Sequence, residues 1–315
     1  MSDLAITRRQ FLRRSGLAIA GAGLIPSLVH AVTIPAITVR GPAKKVLILG
    51  AGMAGLVAGY ELSKRGHDVM ILEARNRPGG RVYTLREPFD DGLHAEAGAA
   101  RIRDTHALTL KYVKEFEFPL EPFYPSTHKI VRFDLDGRRE EPIAGYTEAM
   151  TNHYGEELGG TPEIWHTIKG GMDLLPKAIA ARLGNRILYG AAVVKIEQDA
   201  KQASVKFLQD GVAERMIADA VLCTIPFSVL RRLDLPALSS RKKDLIKRTN
   251  YDNVSRVYLQ TKTRFWEKKG LNGFAFTKGG IEIWQPTWDQ PSERGILMTY
   301  ARPTEADRIA SLKEK

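Results

Sequence analysis

Apolar residues in this chain come in short runs separated by polar, glycine-bearing turns, and the first ordered unit begins near Lys44. Positions 46–49 (Val, Leu, Ile, Leu) form a continuous apolar run of strand length, which predicts a strand covered on both faces. Positions 53–64 then set Leu56, Tyr60 and Leu62 at helical spacing, Gly66 supplies a stop, and 69–72 repeats the strand pattern. Strand, helix and strand in that order predict a βαβ unit in a parallel sheet. At the far end, 304–315 predicts an amphipathic helix with Ala306, Ile309 and Leu312 on one side. No internal repeat or low-complexity tract interrupts the chain.

Where the first strand turns into the helix stands Gly50-Ala51-Gly52-Met53-Ala54-Gly55. Gly50 suits a tight turn, Gly52 lets backbone approach a pyrophosphate, and Gly55 lets helix and strand pack closely, with the helix N-terminus facing negative charge. Glu73 follows the second strand, eighteen residues after Gly55, where a carboxylate can take the ribose hydroxyls of an adenosine. At this point the dinucleotide is either NAD or FAD.

Composition narrows the classes. Lys and Arg number 47 against 36 Asp and Glu, a net charge of +11, and 43% of residues are hydrophobic, which describes a globular chain and excludes a disordered or collagen-like one. The single cysteine, Cys223, excludes a disulfide framework and a multi-thiolate zinc site. The seven histidines, His94, His106, His128 and His166 among them, show no short ligand spacing, so no metal is expected. The scattered aromatics offer no stacking platform, so nucleic acid is not an expected partner.

Residues 1–31 resemble an address label. Arg8, Arg9, Arg13 and Arg14 precede an apolar stretch too short to span a bilayer. The order Thr7-Arg8-Arg9-Gln10-Phe11-Leu12-Arg13 resembles the bacterial twin-arginine export signal, and Val29-His30-Ala31 offers a cleavage site. The implied partner is the twin-arginine machinery, and the implied location is periplasmic or secreted. Cleavage would remove four arginines and Asp3, lowering the charge by three to +8. Residues 32–41, with Pro35, read as a linker.

After Glu73 the run Ala74-Arg75-Asn76-Arg77-Pro78-Gly79-Gly80-Arg81 resembles the flavin-containing amine oxidase family, which includes L-amino-acid oxidases and polyamine oxidases. The resemblance implies FAD, with Gly50, Gly52, Met53, Ala54, Gly55, Glu73, Ala74, Arg75, Gly80 and Arg81 around its adenosine and diphosphate. It continues along nearly all of the chain after the leader. Residues 96–101 match the segment passing beneath the flavin ring, which adds Gly98, Ala99 and Arg101. Residues 168–176 resemble a return to the FAD domain before a helix at 177–183, and 192–196 the strand whose backbone meets adenine, at Val193. Residues 220–226 resemble a strand and turn, and 258–266 a strand of the substrate domain.

The implied fold is α/β: a Rossmann-like FAD-binding domain, discontinuous over 42–100 and 168–250, and a mixed-sheet substrate domain over 101–167 and 251–315. The implied reaction is oxidation of an L-amino acid or other primary amine to the imine, with oxygen reduced to hydrogen peroxide. Arg101 corresponds to the arginine that pairs with the substrate carboxylate in L-amino-acid oxidases; the other readings are an ion pair with Glu96 or Asp104, or a backbone contact to the flavin. Arg256 stands where the family usually has a lysine holding a water near the flavin, which makes it the catalytic candidate or else a strand-edge cation. Family members continue well past the position of Lys315 and carry a longer segment between the positions of Arg101 and Gly170. A truncated flavin-binding scaffold or partner subunit, possible within an oligomer, is therefore the alternative expectation.

Overall fold

The structure is a computed structural model that describes residues 41–125, 128–134, 137–142, 165–236, 238–277 and 281–312. The leader read at 1–31 lies outside the described residues, as does all of the linker but Gly41. Strand β1 (Lys45–Leu49), helix α1 (Met53–Lys64) and β2 (Asp68–Leu72) stand where the pattern predicts them. Next come β3 (Thr84–Leu85), β4 (Ala95–Glu96), β5 (Ile102–Arg103), α2 (Ala107–Glu115), β6 (Leu120–Pro122), β7 (Lys129–Asp134) and β8 (Gly137–Pro142). They lead to β9 (Trp165–Ile168), α3 (Leu174–Leu183), β10 (Ile187–Leu188), β11 (Ala191–Gln198), β12 (Ala203–Gln209), β13 (Val212–Ala218) and β14 (Ala220–Cys223). The chain continues through α4 (Phe227–Leu230), α5 (Ser240–Arg248), β15 (Ser255–Thr261), β16 (Leu271–Thr277), β17 (Ile281–Trp284), β18 (Gly295–Ala301) and α6 (Pro303–Ala310).

An all-parallel sheet in the order β10-β2-β1-β14 forms the first layer. Its central strand β1 is apolar and buried from Val46 to Leu49 because both faces are covered there. Val46 and Ile48 pack with Leu56, Ile71, Leu175 and Ile179 under α1 and α3, while Leu47 and Leu49 pack with Val193, Val205 and Phe207 of the antiparallel meander β11-β12-β13. Each fully buried Leu or Ile there contributes roughly 1.5–3 kcal/mol. A second, six-stranded sheet runs β15-β18-β17-β16-β7-β8, mixed because β16 and β7 pair parallel while the other neighbours pair antiparallel. Ile130, Phe274, Phe276, Trp284 and Met298 on this sheet close around Phe123 and Ala100. Ala100 thus belongs to the core of the second sheet, one residue from the Arg101 side chain.

Three expected boundaries move. Helix α3 starts at Leu174, three residues before 177, because Pro176 falls within its first turn, where no backbone N–H is missed. Strand β15 stops at Thr261 and does not run on to Trp266. There Arg264 turns inward to the carbonyls of Thr287 (2.5 Å) and Gln290 (2.6 Å), and Trp266 is buried ahead of a short helical turn. Helix α6 ends at Ala310, which leaves Leu312 beyond it and 65% exposed.

Candidate functional site

The glycine turn is built by sterics. Gly50 takes φ +100°, a left-handed conformation that disfavours any side chain, and its N–H reaches the Leu72 carbonyl at 2.8 Å, tying the turn to β2. A Cβ on Gly55 would lie 2.0 Å from the Gly50 carbonyl oxygen, so turn and helix approach as closely as they do only without one. At Gly52 the same addition meets no protein atom within 4 Å. This N-cap of α1 faces open space, its helix end has no side-chain cap, and no acid stands in the first turn, so its positive end is free to take an anion. Met53 and Ala54 are the first turn itself.

Glu73 is buried at the end of β2. Its Oε2 accepts the N–H of Ala51 at 2.7 Å and its Oε1 that of Arg75 at 2.9 Å, leaving each oxygen a further lone pair. The Ala51 carbonyl accepts from Gly79 at 2.8 Å, so the loop at 74–81 lies along the glycine turn, with Gly80 against Gly52. Within that loop Arg77 donates to the carbonyls of Pro78 and Gly80 and lies over Tyr83 at 4.1 Å, while Ala74, Arg75 and Arg81 are exposed. Arg77 is the brace that motif reading passed over. Val193 is buried in β11, two residues from Ala191, whose N–H reaches the Glu73 carbonyl at 2.9 Å. An uncapped helix end, an uncrowded glycine, a carboxylate with spare acceptor capacity and two exposed arginines fit the adenosine diphosphate half of FAD.

The other half of the site is the segment at 96–101. The Arg81 carbonyl accepts from Ala99 at 3.0 Å, and a Cβ on Gly98 would stand 1.8 Å from that same oxygen, so the segment lies directly on the phosphate loop. The buried Glu96 carboxylate accepts from Thr84 Oγ1 at 3.0 Å on both oxygens and from the Met172 N–H at 2.8 Å. Loss of solvation pushes it up to about 7, against the hydrogen bonds that favour its charged form. Asp173 next door is held below the usual carboxylate range by Arg86 and Lys177, which outweigh its own desolvation.

Arg101 projects among aromatic rings. Its guanidinium carbon lies 4.8 Å from the Trp284 centroid, 4.9 Å from Trp165 and 5.6 Å from Phe123, and its Nη1 donates to the Tyr124 hydroxyl at 3.2 Å. Among the described residues it pairs with no carboxylate, Glu96 and Asp104 included. Beside it a pocket is lined by Ala100, Phe123, Phe274, Trp284, Trp288 and Met298, with His94 and Asp289 at its polar side. Burial lowers the His94 imidazole, and the Asp289 carboxyl is pushed up by desolvation and by its hydrogen bond with Glu121, whose own charge that bond and Lys169 stabilise. Phe123, Trp165 and Trp284 are contacts that the sequence reading did not assign to Arg101.

Arg256, the catalytic candidate, faces the main chain. Its Nη1 donates to the carbonyls of Glu96 at 2.6 Å and Gly98 at 2.8 Å.

Comparisons with known proteins bear on the family and the fold. A family model described as flavin containing amine oxidoreductase matches residues 53–154 and 143–315. The YobN protein of Bacillus subtilis (strain 168) is 30% identical over 315 residues, covering 73% of this chain and 66% of YobN, so the match spans just under two thirds of that relative. The flavin-dependent L-tryptophan oxidase RebO of Lentzea aerocolonigenes is 28% identical, covering 86% of this chain and 78% of that one. Among solved structures, cyclohexylamine oxidase from Brevibacterium oxydans IH-35A superposes with a TM-score of 0.71 at 16% identity, over 86% of this chain and 78% of that one. Putrescine oxidase bound to putrescine gives 0.71 at 19% identity over the same shares. Identities this low carry the fold alone. The family match over most of its length shows that the chain belongs to the flavin containing amine oxidoreductases, with FAD as its cofactor, and the glycine turn, the buried Glu73 and the 96–101 segment fit that cofactor.

Proposed function

We propose that the protein oxidises an L-amino acid, or failing a carboxylate another primary amine, to the imine, with oxygen as final acceptor and hydrogen peroxide as product. The observation that carries the reading is Arg101: a half-buried guanidinium, walled by three aromatic rings, with donors to spare and no carboxylate partner among the described residues. A planar fork in such surroundings suits bidentate capture of a substrate carboxylate. When bound, FAD supplies the two-electron acceptor for the hydride leaving the carbon beside the amine. The chain's own residues do the rest. Arg101 holds the carboxylate and so fixes which hydrogen faces the flavin, and Phe123, Trp284, Phe274 and Met298 form an apolar wall that excludes water and receives the substrate side chain.

We further propose that the protein is exported folded through the twin-arginine route, a course that suits a cofactor loaded before transport. Anaerobic mixing with a panel of L-amino acids and their decarboxylated amines tests the main reading: amino acids should bleach the flavin's visible band faster and, once air is admitted, release peroxide. Faster bleaching by the amines would move the substrate class to monoamines or diamines.

A further inference from the structure

Arg256 and Tyr258 sit two residues apart on β15, so their side chains leave the same face of the strand. Both reach the same backbone atom. Arg256 Nη1 donates to the Glu96 carbonyl at 2.6 Å, the Tyr258 hydroxyl donates to it at 2.8 Å, and Arg256 also donates to the Gly98 carbonyl at 2.8 Å. Its guanidinium lies 5.1 Å from the Tyr300 ring and 5.8 Å from Trp284. Those two rings are stacked on each other, 5.1 Å apart and 4° from parallel. Trp284 is also the ring that Arg101 lies over at 4.8 Å. Two arginines therefore share one aromatic stack, and one of them also holds the main chain three residues before the other.

On this arrangement, which rests on Arg101 being the carboxylate clamp, the geometry points to Arg256 as a positioning residue for substrate recognition: with Tyr258 it sets where Arg101 stands. Its Nη1 is committed to two backbone carbonyls. Without it the Gly98 carbonyl loses the Arg256 donor and the Glu96 carbonyl keeps only the Tyr258 hydroxyl, so the 96–98 segment is held less tightly and Arg101 shifts with it. A lysine ammonium has donors enough for the two carbonyls but lacks the planar, delocalised cation that a guanidinium presents to the Tyr300 and Trp284 rings, so lysine replaces only part of the function.

The test uses the full chain loaded with FAD and compares wild type with Arg256→Met, Arg256→Lys and Tyr258→Phe. KM and kcat are measured for L-phenylalanine and for phenethylamine, which lacks the carboxylate. Calorimetry gives the dissociation constant of 3-phenylpropionate, which has the carboxylate and no amine. Arg256→Met should raise KM for phenylalanine and weaken phenylpropionate binding by about tenfold, with phenethylamine KM changed by less than about twofold. In combination with Arg101→Ala it should add almost nothing, because both changes remove one recognition unit. Arg256→Lys should recover part of the loss. If Arg256→Met does not fold, Tyr258→Phe carries the test with a smaller shift of the same selectivity. Equal losses on both substrates, or losses that add to those of Arg101→Ala, overturn the inference. A wild type with no preference for phenylalanine over phenethylamine overturns the amino-acid reading and this inference with it; a wild type with that preference and no selective loss in the variants overturns the inference alone.

Discussion

The Glu73 carboxylate accepts the Ala51 N–H at 2.7 Å, so the acid after the second strand reaches back across the site and closes the glycine turn of the first. The same group accepts from Arg75, which ties the phosphate loop to the same point. One buried side chain thus organises both loops before any ribose arrives. Glu73→Gln should weaken FAD binding by about ten- to a hundredfold, the equivalent of one charge-assisted hydrogen bond. Fluorescence titration of the apoprotein checks this, and an unchanged affinity would mean that Glu73 serves the loops alone.

Gly52 and Gly55, three residues apart, should respond oppositely to alanine. Gly55→Ala drives a Cβ to 2.0 Å from the Gly50 carbonyl, so the variant should fail to fold or lose several kcal/mol. Gly52→Ala meets only open space in the protein, so the apoprotein should keep its melting temperature within about 2 °C while FAD affinity falls. Thermal melts with and without FAD distinguish the two, and a destabilised Gly52→Ala apoprotein would contradict the assignment of that space to the cofactor.

Glu96 gives stability a pH dependence. Its folded value, about 7, lies above the ordinary 4.5. Below pH 4.5 the carboxyl is protonated whether the chain is folded or not; as pH rises through 7 the native state must accept a buried charge, and roughly 3 kcal/mol of stability is lost across that window. Glu96→Gln should flatten this part of the pH–stability curve between 4.5 and 7. Denaturant unfolding at pH 5 and pH 8 is the check, and a difference as large in the variant as in the wild type would assign the effect elsewhere.

Export rests on the paired arginines. Replacing Arg8 and Arg9 with lysine should retain the protein in the cytoplasm of a twin-arginine-competent host, as read by fractionation, and normal export of the double variant would remove that proposal.

The dinucleotide half of the site was legible because it is local. Positions 46–73 contain strand, turn, helix, strand and acid within one βαβ unit, and periodicity with glycine chemistry reads such a unit directly. The substrate half was legible only as single residues. Arg101 could be named from its segment, but the rings around it come from positions 123, 165 and 284, brought together by pairing across two sheets that no local pattern encodes. Arg256 could likewise be named from its segment as a candidate, whereas its attachment to the Glu96 and Gly98 carbonyls could not, since backbone acceptors leave no mark in residue type. The inward turn of Arg264, which ends β15 early, is another long-range hydrogen-bond choice of that kind.

The central claim is that Arg101 recognises a carboxylate in a flavin site, and turnover of Arg101→Ala on L-phenylalanine and on phenethylamine, with FAD occupancy equalised and peroxide followed, tests it most directly. Loss of a bidentate contact in that pocket should cost roughly 3–4 kcal/mol, so kcat/KM on the amino acid should fall by about two to three powers of ten while the amine changes by less than about threefold. Equal losses on both substrates would contradict the account and make Arg101 a support for the flavin or the fold.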